Sequence, residues 1–237
     1  MHHDFFDKYK DIKSAWSEIK PLIRLLISVS FIITLSIIPL FNWYLIWFYF
    51  FILFFILFLS KLPESYFLKR TILISIPAII IAFSASLLKE NSTGWFIFVL
   101  SKAYMSIGIM VILISTTSFP SLITALEKIR VPKLFITLLG FVYRYSFLFI
   151  DEFESLERTY KSRTVGRGFK LKKSAVSNIA ATLFRISLEK SEKVHQAMLA
   201  RGFTGTFRSI TAEKISVGQI FILIVFIILF IGVRIIV

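Results

Sequence analysis

Two short stretches hold the residue types best suited to recognition chemistry: Ser162-Arg163-Thr164-Val165-Gly166-Arg167-Gly168-Phe169 and Ala197-Met198-Leu199-Ala200-Arg201-Gly202-Phe203. Each places an arginine near the end of a helix-forming segment. A guanidinium reaching beyond a helix end can enter a partner's groove and bind a carboxylate or phosphate through two parallel charge-assisted bonds. A solvated basic face would have the same composition, so the residue types leave docking and solvation both open.

A second group is Arg144, Asp151 and Glu152. Arg144 falls in an apolar stretch where an unpaired guanidinium is costly. Asp151, seven residues on, returns to the same helix face. A structural ion pair, bridged by a turn or by a neighbouring helix, is the expectation, with an interfacial charge as the plainer alternative. Lys102, inside an apolar run, either snorkels or faces a packed interior. His195 reads as a surface or packing residue. Met1-His2-His3 offers two adjacent histidines without further ligands, an incomplete metal site at a solvated terminus.

Several chemistries lack their residues. The chain has no cysteine, which removes thiolate chemistry. It has no glycine loop ending in Lys-Ser or Lys-Thr, no His-Glu-x-x-His and no Gly-x-Ser-x-Gly. Nucleotide hydrolysis by this chain is therefore not expected. Ionisable residues are too few in the apolar runs for a proton relay or an ion pathway.

The elements that must position the arginines follow from hydropathy. With 57% hydrophobic residues, 27 Phe among 237 positions and a mean hydropathy of +0.79, the chain exceeds what one soluble core could hide. Apolar runs at Leu22–Leu40, Trp43–Ser60, Thr71–Leu88, Trp95–Ser115 and Val217–Val237 are each long enough to cross a hydrocarbon core of ~30 Å as a helix. The mixed-charge residues before Leu22 do not form a secretory signal. Pro39 and Asn42 mark the first turn, Pro77 should bend the third span, and Gly108 is a close-packing point. Lys61, Lys69 and Arg70 form a basic loop.

Orientation follows from the distribution of Lys and Arg. The leading flank holds five up to Arg24 and the second loop three, against none and one in the first and third turns. The N-terminus is expected inside. Four crossings then bring Thr116 back to the cytoplasm, and the stretch from Thr116 to Ser216 holds 17 of the 28 basic residues and 8 of the 14 acids. The expected architecture is an all-α membrane protein with about five transmembrane helices. Residues 1–115 carry spans one to four, 116–216 form about three amphipathic or long coupling helices, and 217–237 form the last span.

Within the insert, Ser118 and Pro120 open a helix whose Leu122, Ile123, Leu126 and Ile129 share one face. Val131-Pro132 ends it. A long helix follows, apolar from Leu134 to Ile150 and charged from Asp151 to Arg167. A third runs from about Ser174 to Ala200, with Gly202 and Gly205 as stop signals.

At these residues the chain resembles the transmembrane T component of energy-coupling factor transporters, in the CbiQ-like branch associated with cobalt and nickel uptake. The likeness rests on Thr116-Thr117-Ser118-Phe119-Pro120-Ser121-Leu122 leading into Val131-Pro132, on Phe141-Val142-Tyr143-Arg144-Tyr145 followed by Asp151-Glu152, and on Gln196 to Gly205. It covers nearly the whole chain from about Ser14. The resemblance implies a non-catalytic subunit of an ATP-driven importer in the cell membrane. Its partners would be two cytoplasmic ABC ATPase subunits, a membrane-embedded substrate-binding S component and the lipid bilayer, with no nucleic acid. ATP would be bound by the partners and no cofactor or metal by this chain. Two arginine-centred motifs end the coupling helices in this family. Ala200-Arg201-Gly202 matches the second; the first is Ser162-Arg163-Thr164, which departs from the usual Ala-Arg-Gly-like form, and Arg167 is a neighbouring alternative.

The alternatives are a T component for another micronutrient such as a vitamin, or a membrane-anchored protein using the basic insert to bind nucleic acid or anionic lipid. Steep salt dependence would mark the latter. The greasy helix faces of the insert speak against it. A membrane enzyme or channel would need converging polar groups in the spans, and these are lacking.

Overall fold

The computed structural model describes residues 14–39, 42–87, 92–163, 173–203, 205, 224 and 226. Among them every regular element is a helix: α1 Ala15–Glu18, α2 Pro21–Ile37, α3 Trp43–Ser60, α4 Glu64–Ser86, α5 Ser92–Thr116, α6 Phe119–Lys128, α7 Lys133–Arg163 and α8 Lys173–Ala200. This is an all-α membrane protein. Helices α3, α4, α5 and α7 are long and apolar enough to cross a membrane, and α2 is a shorter apolar helix of 17 residues.

The helix ends follow from local chemistry. A reciprocal pair of bonds between Ser14 and Ser17, each side chain accepting from the other's backbone N–H, opens α1. Pro21 is pre-set for the first helical position of α2, which stops before Ile38-Pro39. Helix α3 ends at Lys61, whose φ of 51° is left-handed. Helix α4 starts at Glu64, a turn and more ahead of the expected span, and runs through Pro77. Lys69 and Arg70 therefore lie on a helix and not in a loop. The Arg70 guanidinium binds the Tyr66 hydroxyl, its i−4 neighbour, as residues four apart on one helix face can. Ser118 caps α6 through Ser121 N–H at 3.3 Å, as its position before Pro120 predicts.

The chain forms two compact units, Met1–Lys128 with Thr211–Val237, and Ile129–Ile210. Polarity alone places a division at Thr116, but α6 packs on α2, so the compact unit extends through Lys128. Within this unit α5 is central and packs against α2, α3 and α4. Ile27, Phe31 and Leu35 of α2, Ile56 of α3, and Ile109 and Ile112 of α5 are fully buried between them. Gly108 gives α3 and α4 room to pack tightly on α5: a Cβ there would stand 3.1 Å from Leu53 Cδ2 and 3.2 Å from Phe67 Cζ. Outward faces keep Phe51, Phe54, Phe58, Ile72 and Leu73 exposed, which suits lipid and not water. Of the last apolar run only Ile224 and Phe226 are described; both are helical, and Phe226 packs against this core.

Two cations lock α2 to α5. Arg24, 5% exposed, donates from Nη1 to the carbonyl of Thr116, the last residue of α5, at 2.6 Å. Lys102 of α5 donates to the carbonyls of Ile38 (2.8 Å) and Ser36 (3.3 Å), where α2 ends, and lies 4.9 Å from the Phe98 ring centroid. The helices are thus antiparallel, each with its carbonyl end capped by a cation from the other. Arg24, which counts toward the basic flank in sequence, is a buried structural residue.

Candidate functional site

The second unit contains α7 and α8. Lys190 Nζ of α8 bonds Glu152 Oε2 of α7 at 2.8 Å, and Phe203, just beyond α8, meets Phe141 of α7 edge-on with centroids 6.4 Å apart. Higher numbers on one helix face lower numbers on the other, so the pair is antiparallel. Between them lies a cavity of about 450 Å³, lined mainly by Phe141, Tyr145, Leu148 and Phe149 with Val194 and Met198, while Lys190 and His195 supply its polar edge.

The charged half of α7 and the outer face of α8 are held by pairs one turn apart: Glu154–Arg158 (3.4 Å), Glu157–Lys161 (2.8 Å) and Arg185–Glu189 (2.6 Å). Each contributes a few tenths of a kcal/mol, ~0.3–0.5. Arg144 and Asp151 are both exposed, and among the described residues no ion pair joins them. Seven residues of rise separate them by about 10 Å. It is Glu152 that is paired, and its partner lies on the other helix.

The end of α8 is the best-defined part of the site. Gly202 N–H bonds the Leu199 carbonyl at 3.0 Å and Phe203 N–H bonds the Met198 carbonyl at 3.0 Å, while Gly202 has φ +72°. These two bonds and a left-handed glycine make a Schellman cap. Arg201 occupies its C-cap position and is exposed, as are Ala200 and Gly202. A cation there complements the carbonyl end of the helix. Phe203 then anchors the chain on Phe141, a role the sequence does not announce except as an aromatic following Arg-Gly.

Arg163 is the last residue of α7, and exposed Ser162 returns its hydroxyl to the Thr159 carbonyl at 2.8 Å. Thr164 and Arg167 lie outside the described residues. Because α7 and α8 are antiparallel, their carbonyl ends point in opposite directions. Arg201 stands level with the Phe141 end of α7, about twenty residues before Arg163, so the two arginine positions are roughly 30 Å apart along the pair.

With this geometry, comparison with known proteins is informative. Residues 13–213 match the family described as CbiQ, cobalt transport protein. The chain belongs to the CbiQ family. That span contains both candidate motifs and helices α1 to α8. A protein of Methanocorpusculum labreanum named as a fused CbiMQ cobalt transport protein is 32% identical over 107 residues, 45% of this chain and 18% of that one. Two uncharacterized proteins of Methanocaldococcus jannaschii are 29% identical over 106 residues and 26% identical over 118, covering 44% and 49% of this CbiQ chain and 36% and 44% of their own lengths. The chain thus matches less than half the length of each of these curated relatives. Family membership and the apolar helices together make this CbiQ chain a multi-pass membrane protein of a transport family.

Proposed function

We propose that this chain is the transmembrane coupling subunit of an energy-coupling factor importer for cobalt or nickel. It transmits the motion of two cytoplasmic ABC ATPase subunits to a membrane-embedded substrate-binding S component. The observation that carries this is the α7–α8 pair, in which two helices end in arginine motifs at opposite ends of one stiff hairpin. A separation of roughly 30 Å suits one motif to each of two ATPase protomers. The Schellman cap presents Arg201 at a defined position, as a guanidinium that must enter a groove requires. Arg163 takes the central position of the first motif, Ser162-Arg163-Thr164, and Arg167 is the neighbouring alternative in sequence. ATP is bound by the ATPases, this chain binds no cofactor and catalyses no reaction, and the N-terminus is cytoplasmic.

The apolar cavity and the exposed Val142, Leu148 and Phe149 of α7 give the hairpin a greasy side on which the S component would ride. When the ATPases close, displacement of the helix ends tilts that surface. Cobalt rests on the family and on the fused relative's name. The test is co-purification with the candidate ATPases in detergent. Replacing Arg163 and Arg201 together by Ala should abolish association and the ATPase stimulation that accompanies it; a double variant that assembles intact would overturn the docking role.

A further inference from the structure

A separate cleft of about 220 Å³ opens between α3, α4 and α5. Phe50, Leu53 and Leu57 of α3, Phe67 and Leu68 of α4 and Tyr104 of α5 line it, and Glu64, the first residue of α4, stands at its polar end. Apart from Tyr104 and Glu64, every described residue lining it is Phe or Leu. From Phe50 to Leu57 the slot follows seven residues of α3, about 10 Å. Phe50 and Leu68 are exposed along its edge, on the outward face that suits lipid and not water. A narrow apolar slot on such a face takes a flexible hydrocarbon chain, because leaving it empty forfeits the contacts of its walls.

The polar end of the slot selects what carries that chain. Glu64 is exposed, and among the described residues no hydrogen bond or ion pair engages its carboxylate. It lies where α3 has ended and α4 begins, at the limit of two apolar spans, which is the level of lipid headgroups. An ionised carboxylate only accepts hydrogen bonds. It repels a headgroup of net negative charge and finds no N–H on a quaternary choline, whereas a primary ammonium offers it three charge-assisted donors. We propose that this cleft binds a phospholipid with a primary ammonium headgroup, such as phosphatidylethanolamine, its ammonium on Glu64 and one acyl chain in the slot. This site is distinct from the arginine motifs and does not depend on the coupling role.

The full chain is reconstituted in nanodiscs of equal parts phosphatidylethanolamine and phosphatidylcholine with the same acyl chains, and retained lipid is counted by native mass spectrometry after partial delipidation. The wild type should retain roughly 3- to 5-fold more phosphatidylethanolamine, the discrimination that one exposed ion pair supplies. Both lipids are counted in one sample, so a general loss of lipid or of folded protein leaves their ratio unchanged. Glu64→Gln should bring the ratio to one, and Glu64→Asp should keep most of the preference. Leu68→Trp, which narrows the slot from its exposed edge, should also bring it to one. Glu192→Gln, removing an exposed carboxylate from α8, should leave the preference intact. Equal retention of the two lipids by the wild type would overturn the proposal. So would a preference that survives Glu64→Gln or Leu68→Trp, or one that is lost in Glu192→Gln.

Discussion

Adding one methyl group to three different glycines should have three different consequences, and the comparison tests the reading of the α8 end. At Gly202 there is open space, with no atom within 4 Å of an added Cβ, so steric crowding contributes nothing. The cost is conformational. A φ of +72° lies in the left-handed region, where an L side chain costs about 1–2 kcal/mol. That corresponds to a 5- to 30-fold loss in the ratio of capped to frayed chain ends. The amides of Arg201, Gly202 and Phe203 are bonded in the cap, so their hydrogen exchange in Gly202→Ala should accelerate by the same factor while α7 keeps its protection. Gly140, inside α7 and equally unobstructed, has no such φ; Gly140→Ala should stabilise α7 by up to ~1 kcal/mol. At Gly108 the new methyl meets Leu53 and Phe67, side-chain ends that can yield, so Gly108→Ala should lower the midpoint of thermal unfolding in detergent without preventing folding. Exchange mass spectrometry on peptides spanning 198–205 decides the first case. Unchanged exchange in Gly202→Ala would refute the cap as the element that sets Arg201, and a destabilised Gly140→Ala would refute the conformational argument altogether.

Lys102→Met removes two bonds to the end of α2 and should cost roughly 1.5–3 kcal/mol, read as a lowered denaturation midpoint, whereas Lys102→Arg should recover most of it. Glu152→Gln should cost under about 1 kcal/mol, because both members of the Glu152–Lys190 pair are substantially exposed, at 30% and 42%; a loss above 2 kcal/mol would mean the pair is more desolvated than its exposure indicates. Phe203→Ala removes the ring contact with Phe141 and should leave the helical content of α8 intact while weakening ATPase co-purification. Full retention of binding would show that this anchor does not set Arg201.

What could be read in advance depended on whether the deciding contact was local. Helix α3 matches the expected Trp43–Ser60 span residue for residue, because an unbroken apolar run and its flanking Pro39 and Asn42 are local signals. The same holds for the Ser118 cap and for Gly202. Where partners come from distant segments, periodicity is silent. Glu152 is joined to Lys190, 38 residues away, and nothing in the spacing of Arg144, Asp151 and Glu152 distinguishes that from an intrahelical pair. Arg24 follows Lys20 by four residues and reads as flank charge, yet its partner is the Thr116 carbonyl 92 residues away. The length of α7 is a different case. Its apolar residues continue into a charged second half without a breaker, so composition permits it to cross a membrane as readily as to lie along the surface.

The reciprocal capping of α2 and α5 has a mechanical consequence. Arg24 grips one end of the pair and Lys102 the other, so sliding one helix past its neighbour by a single turn, about 5.4 Å, would break both attachments at once and leave the end carbonyls without their cations. Tilting or rotating the two together breaks neither. The α2–α5 pair is therefore stiff against shear along its helix axes, and a push delivered to it would be carried as rigid-body motion and not absorbed by slippage between the two helices.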